Sequence, residues 1–255
     1  MSLFLAALRF QLRLAPRSPG TLQVWATAPL FTAVFLSIAE HAHRTDLTSF
    51  SIVAPTLMGQ WALALGIAGE LITEERSQGT LEAVIATPCR LSVVVVGRIL
   101  AVSLLGVTAM AEAWLVAGLG FGRWIAVPHP GVLAAALLAN AAAMAGTASI
   151  LSSLFVLMPS ARIVQNTLNY PLYLLSGVLV PLSTLPAWLR PLGRAVFLSW
   201  SADLFRAALD GAAVSRPVTR IAVVALLGLS GYLIGALLLA RVLRRVRRLG
   251  TLTHT

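Results

Sequence analysis

Four of the nine carboxylates of this chain fall in one short run, GELITEERSQGTLEAVIATP, at Glu70, Glu74, Glu75 and Glu82. The run joins two long apolar stretches, so its carboxylates and Arg76 are groups offered to a partner in water. A second constellation, Asn166, Asn169, Tyr170 and Tyr173, recurs at i, i+3, i+4 and i+7, which places two amides and two phenols on one helix face. Lipid cannot satisfy such groups, so this face must meet protein or a water-filled cavity. Two uses stay open for it: hydrogen bonding between helices, or contact with a substrate. Gln60 and Trp61 in an earlier apolar stretch, and Asn140 in a later one, are lesser candidates of the same kind.

Several chemistries are excluded by residue type. All nineteen basic residues are Arg, and without Lys there is neither a GxxxxGK[ST] phosphate loop nor a Schiff base. A single Cys, Cys89, rules out a disulfide or a thiolate cluster within the chain. His41 and His43 form an HxH with no further ligand nearby in sequence, and no HExxH or paired intramembrane catalytic group is present. The chain therefore reads as non-enzymatic, with no catalytic residue, cofactor or metal of its own.

The elements that hold these residues are set by hydrophobicity. With 58% hydrophobic and only 11% charged residues, the chain is far from the soluble norm and reads as an integral membrane protein. Apolar windows long enough to cross a hydrocarbon core of about 30 Å occur near Leu22 to Ala39, Phe50 to Ile72, Leu91 to Leu119, Val132 to Met158, Ile163 to Val180 and Ile221 to Ala240. Such uninterrupted runs favour helices over barrel strands. The expected fold is all-α, a polytopic membrane protein with six transmembrane helices in one domain over 1–255.

An even number of crossings puts both termini on one side. Eleven Arg then share that side with the termini and seven lie opposite, which predicts cytoplasmic termini. Residues 1–20 place Leu5, Leu8 and Leu12 on one face and Arg9 with Arg13 on another. That pattern suits an interfacial amphipathic helix contacting membrane lipid. The terminal RVLRRVRRLG is a stop-transfer cluster at a span end, not a nucleic-acid site.

Within the loop 73–90, Ser77, Gln78 and Gly79 break the second helix, Thr80 can cap a new one, and Glu82 sits in its first turn. Leu81, Val84 and Ile85 make one apolar face before Thr87-Pro88 ends it. Two turns are marginal alone in water, so this face either docks on a partner or lies on the membrane surface. Glu70 and Arg98 fall at similar depths in neighbouring spans, which predicts a structural ion pair. Beyond the fifth window, Pro181, Pro186 and Pro191 break residues 181–218 into short pieces. There Asp203, Arg206 and Asp210 read as a surface pair network, and Glu112 as a solvated outer carboxylate. Gly231 with Gly235, and Ala62 with Gly66, are small-xxx-small pairs that could pack within one chain or between two.

The run GELITEERSQGTLEAVIATP, followed by a span carrying Gly97 and Arg98, resembles the membrane permease subunit of type 2 ABC transporters. A second match is SGVLVPLSTLPAWLRPLGRAVFLSWSADLFRAALDG, Ser176 to Gly211. The resemblance implies that the loop helix is the cytoplasmic coupling helix, docking on a separate ABC ATPase that binds ATP and Mg. Its contact set is then Glu74, Glu75, Arg76, Thr80, Leu81, Glu82, Val84 and Ile85. It also implies short re-entrant helices before the last span, a second permease copy (identical or related), and a bacterial inner membrane. The second and fifth spans would border the path, with Gln60, Asn166, Asn169, Tyr170 and Tyr173 along it. Amphipathic drugs or natural products are the expected cargo of such an exporter. Polysaccharide or lipid-linked glycan export, or a non-transporting anchor for a partner complex, are the alternatives.

Overall fold

Proline and serine set where the long helices begin. Ser18 caps one by accepting from Thr21 N at 3.3 Å, with Pro19 at its first position, where a missing N–H costs nothing. Pro130 and Pro217 open two others. The computed structural model describes residues 3–44, 47–77, 91–155 and 161–249. Among them the chain is helical, without strands: α1 (Leu3–Leu14), α2 (Pro19–His41), α3 (Thr48–Ser77), α4 (Leu91–Leu105), α5 (Thr108–Leu115), α6 (Pro130–Phe155), α7 (Ala161–Leu175), α8 (Arg190–Ala195), α9 (Phe197–Leu209) and α10 (Pro217–Leu249).

Four segments are long and apolar enough to cross a membrane: Gly20–His41, Gly97–Gly120, Pro130–Leu154 and Pro217–Arg241. They match the first, third, fourth and sixth expected windows. The second and fifth windows fall on α3 and α7, which do not reach the same measure over the described residues. For α7 the reason is length and polarity. Its fifteen residues span about 22 Å and carry the Asn and Tyr stripe.

The helix α3 is the axis of the molecule. It packs against α2, α4, α5, α6, α7 and α9, and nearly every side chain from Ser51 to Leu65 is buried. Around it, Val102, Met144, Leu198 and Phe205 complete one apolar cluster. A helix enclosed by others has no lipid-facing side to keep greasy, so Ser51, Thr56 and Gln60 are tolerated there.

The third window, expected as one helix, is broken. At Gly106 and Val107 the chain tightens into i→i−3 bonds, with Val107 N donating to Leu104 O at 3.0 Å and Ala109 N to Gly106 O at 3.1 Å. The cause is the close approach of α3, because a Cβ at Gly106 would stand 3.1 Å from Gln60 Cα. A π-turn over Val116–Gly120 ends this segment.

The first helix docks on α4. It buries Ala7 and Gln11 and leaves Leu3, Leu5, Phe10 and Leu14 exposed. Arg98, read from sequence as a partner of Glu70, donates from Nε to Gln11 Oε1 at 2.8 Å and stands 5.5 Å from the Phe10 ring. The Glu70 side chain lies outside the described residues. The Gly231 and Gly235 pair packs within the chain, on Gly146 and Ser149 of α6.

Candidate functional site

Two aromatic donors fix the polar face of α7 onto α3. Tyr173, only 4% exposed, donates its hydroxyl to Met58 O at 3.1 Å. Trp61 donates its indole N–H to Asn169 Oδ1 at 3.0 Å. These bonds satisfy groups that would otherwise sit unpaired in an apolar layer. Asn166 is exposed, as is Tyr170 at 66%.

Beside this junction lies a cavity of about 830 Å³ bounded by α2, α3 and α7. The α7 wall supplies Asn166, Asn169, Tyr170 and Tyr173. The α3 wall is mostly small or apolar: Pro55, Met58, Gly59, Ala62, Leu63, Leu65 and Gly66. The α2 wall adds Thr21, Gln23, Val24, Thr27, Ala28 and Phe31. All four polar α7 residues singled out by spacing are therefore brought together on one cavity.

Gln60 is not among the lining residues. It is fully buried and accepts a hydrogen bond from Asn140 Nδ2 on α6. One residue of helix is about 100° of rotation, so Trp61 turns to α7 while Gln60 turns to α6. The Gln60 Nε2 and Asn140 Oδ1 atoms are buried without a partner. Sequence reasoning missed the α2 wall. Its one available signal was Gln23, a polar residue early in an apolar window.

Where α7 ends and α3 begins, the surface network read for Asp203, Arg206 and Asp210 is corrected by the packing of α9, whose Leu204, Phe205 and Ala208 are buried. The Arg206 side chain keeps only 21% exposure and meets Asp203 at 3.7 Å. Its Nη2 donates to Gly177 O at 2.7 Å and Val178 O at 3.2 Å. Its guanidinium also stacks 4.8 Å from the Phe50 ring. Burial lowers its pKa, and the Asp203 charge acts the other way. Arg206 thus ties α9 to the ends of two of the three cavity helices: to Gly177, just past α7 in the left-handed conformation (φ 73°), and to the start of α3. Arg206→Met is expected to cost roughly 2 kcal/mol, since charge-assisted bonds to carbonyls are lost. A thermal melt of the purified chain should fall by several degrees. Arg206→Lys should recover only part of that, because one ammonium cannot reproduce the planar stacked contact.

Glu112 also departs from expectation. Read as a solvated carboxylate, it lies in Gly97–Gly120 with its Oε2 buried and unbonded. Glu74, Glu75 and Arg76 belong to the last turns of α3. Thr80, Leu81, Glu82, Val84 and Ile85 lie outside the described residues.

The family model described as ABC-2 type transporter matches residues 2–209. No curated protein matches the chain.

Proposed function

This chain belongs to the ABC-2 type transporter family, as a multi-pass membrane permease subunit of a type 2 ABC transporter, and we propose that it is the path-forming half of an ATP-driven exporter. In this reading α3 and α7 complete six crossings, with both termini in the cytoplasm of a cell bounded by the inner membrane. α1 lies in the headgroup layer, its exposed Leu and Phe side chains in lipid. Family members work with a cytoplasmic ATPase. Here that partner, carrying ATP and Mg, docks on the loop after α3, and a second permease copy faces the first across the path.

The observation that supports this reading best is the cavity between α2, α3 and α7. Its polar face sits on the helix spacing that lipid exposure forbids, and α3, its floor, is the same helix that runs down to Ser77 at the docking loop. A mixed wall of Tyr rings, amides and apolar side chains suits amphipathic drugs or natural products. The test is Asn166→Ala and Tyr170→Ala in the complex reconstituted with its ATPase. Substrate-stimulated ATP hydrolysis is expected to shift its half-maximal substrate concentration by about tenfold. Unchanged stimulation and unchanged substrate range across a panel of amphiphiles and glycans would remove the cavity from the path.

A further inference from the structure

The cavity wall is not uniform along α3. At Gly59, a Cβ built on the backbone meets Ala28 Cβ at 3.4 Å and Val24 Cγ1 at 3.5 Å, so Gly59 is a contact between α3 and α2. Two turns further on, a Cβ at Gly66 meets no atom of the described residues within 4 Å, and Gly66 lines the cavity. Glycine weakens a helix interior relative to alanine, and no packing contact among the described residues accounts for it at 66. The side chain missing there leaves room in the cavity rather than in a helix contact.

Hydrogen-bonding capacity along the cavity is divided unequally. The Tyr173 hydroxyl and Asn169 Oδ1 are already engaged by α3. Asn166, Tyr170 and Gln23 carry no hydrogen bond among the described residues and remain available to a ligand. No Arg, His, Asp or Glu lines the cavity among the described residues, in a chain with nineteen Arg. An ion brought into such a wall would lose water without gaining a countercharge.

We infer that the cavity takes an uncharged amphiphile, its polar edge on Asn166 and Tyr170 and its apolar body against α3, and that the bare backbone at Gly66 sets the girth it admits. The inference rests on the cavity being the substrate path, and its test separates the two. The full chain is assembled with its ATPase partner in lipid nanodiscs. Two uncharged probes of unequal girth, naphthol and hydroxypyrene, are titrated by ring fluorescence, with pyrenesulfonate as the charged counterpart of the larger.

Gly66→Leu is expected to shift the affinity ratio of naphthol to hydroxypyrene by about tenfold or more in favour of the smaller probe. Gly66→Ala should shift it in the same direction by less, which keeps the test informative should the leucine variant assemble poorly. If Tyr170→Ala weakens both probes while both Gly66 variants leave their ratio unchanged, the path reading stands and the girth inference is overturned. If neither Tyr170→Ala nor the Gly66 variants alter either probe, the path reading falls and carries this inference with it. Pyrenesulfonate bound by the unsubstituted protein as tightly as hydroxypyrene overturns the uncharged class.

Discussion

Gly146→Val is expected to separate α6 from α10 and to leave little folded protein. A Cβ at Gly146 falls onto the carbonyl of Gly228, and one at Gly228 would stand 2.5 Å from Ala143 Cα. Further along the seam, Cβ atoms at Gly231 and Gly235 would come within 2.9 Å of Gly146 C and 2.8 Å of Ser149 C. These neighbours are backbone atoms, so no rotamer change relieves the clash and the helices must move apart. Separation undoes the contact along its whole length, including the bond from Ser153 Oγ to Gly235 O at 3.1 Å. In lipid, helix pairing relies on close packing and not on escape from water, so a gap is not refilled at low cost. The expected loss exceeds about 3 kcal/mol, read as a collapsed thermal melt and a low monodisperse yield. Gly66→Ala, on the same test, should melt within a few degrees of the unsubstituted chain. A Gly146→Val protein as stable as that control would mean that α6 and α10 are not paired in this register.

This pair also shows what local sequence could tell. The Gly231 and Gly235 spacing marked a close-packing face, but nothing in the spacing named the partner. That depends on which helix presents Gly146 and Ser149 opposite. Crossing segments were legible for the same local reason: length and hydropathy belong to each segment alone. They identify α2, α6, α10 and the α4–α5 segment without reference to neighbours. Over the described residues α3 and α7 fall short of that measure; α7 is fifteen residues long and carries the polar stripe, and what that stripe faces is a property of the assembly.

The same division runs through the candidate site. Asn166, Asn169, Tyr170 and Tyr173 share one face by helical spacing, and all four line one cavity. Gln60 and Trp61 could not be sorted from sequence, since the choice between α6 and α7 depends on how α3 is rotated among its neighbours. The break at Gly106 was hidden too, because it answers to Gln60 on another helix. For Arg206, spacing suggested exposed pairs with Asp203 and Asp210. Its burial follows from the stacking of α9 on the Gly177 turn, a contact twenty-nine residues distant in sequence.

Leu81→Asp is expected to disconnect the permease from its ATPase while the chain still inserts and folds. The reasoning starts from α3, a single helix of thirty residues that carries Met58, Ala62 and Gly66 on the cavity and ends at Ser77. Eleven residues of helix separate Gly66 from Ser77, about 16 Å, and a helix enclosed by six others moves as a rod. A push on the loop beyond Ser77 therefore arrives at the cavity wall without needing a further relay. In the proposed coupling the partner grips the segment after Ser77, where Leu81, Val84 and Ile85 recur at helical spacing in the sequence. An aspartate at 81 would bury an uncompensated charge in that grip, at a cost above about 3 kcal/mol, or a hundredfold or more in assembly. Co-purification with the ATPase should be lost, and substrate-stimulated hydrolysis with it. Hydroxypyrene binding to the Leu81→Asp chain should persist, because the described cavity lining on α3 ends at Gly66. Glu82→Ala, removing one charge and no apolar side chain, should weaken assembly by less than about tenfold. Normal nucleotide-driven transport by Leu81→Asp would show that force enters this chain somewhere other than the loop between α3 and α4.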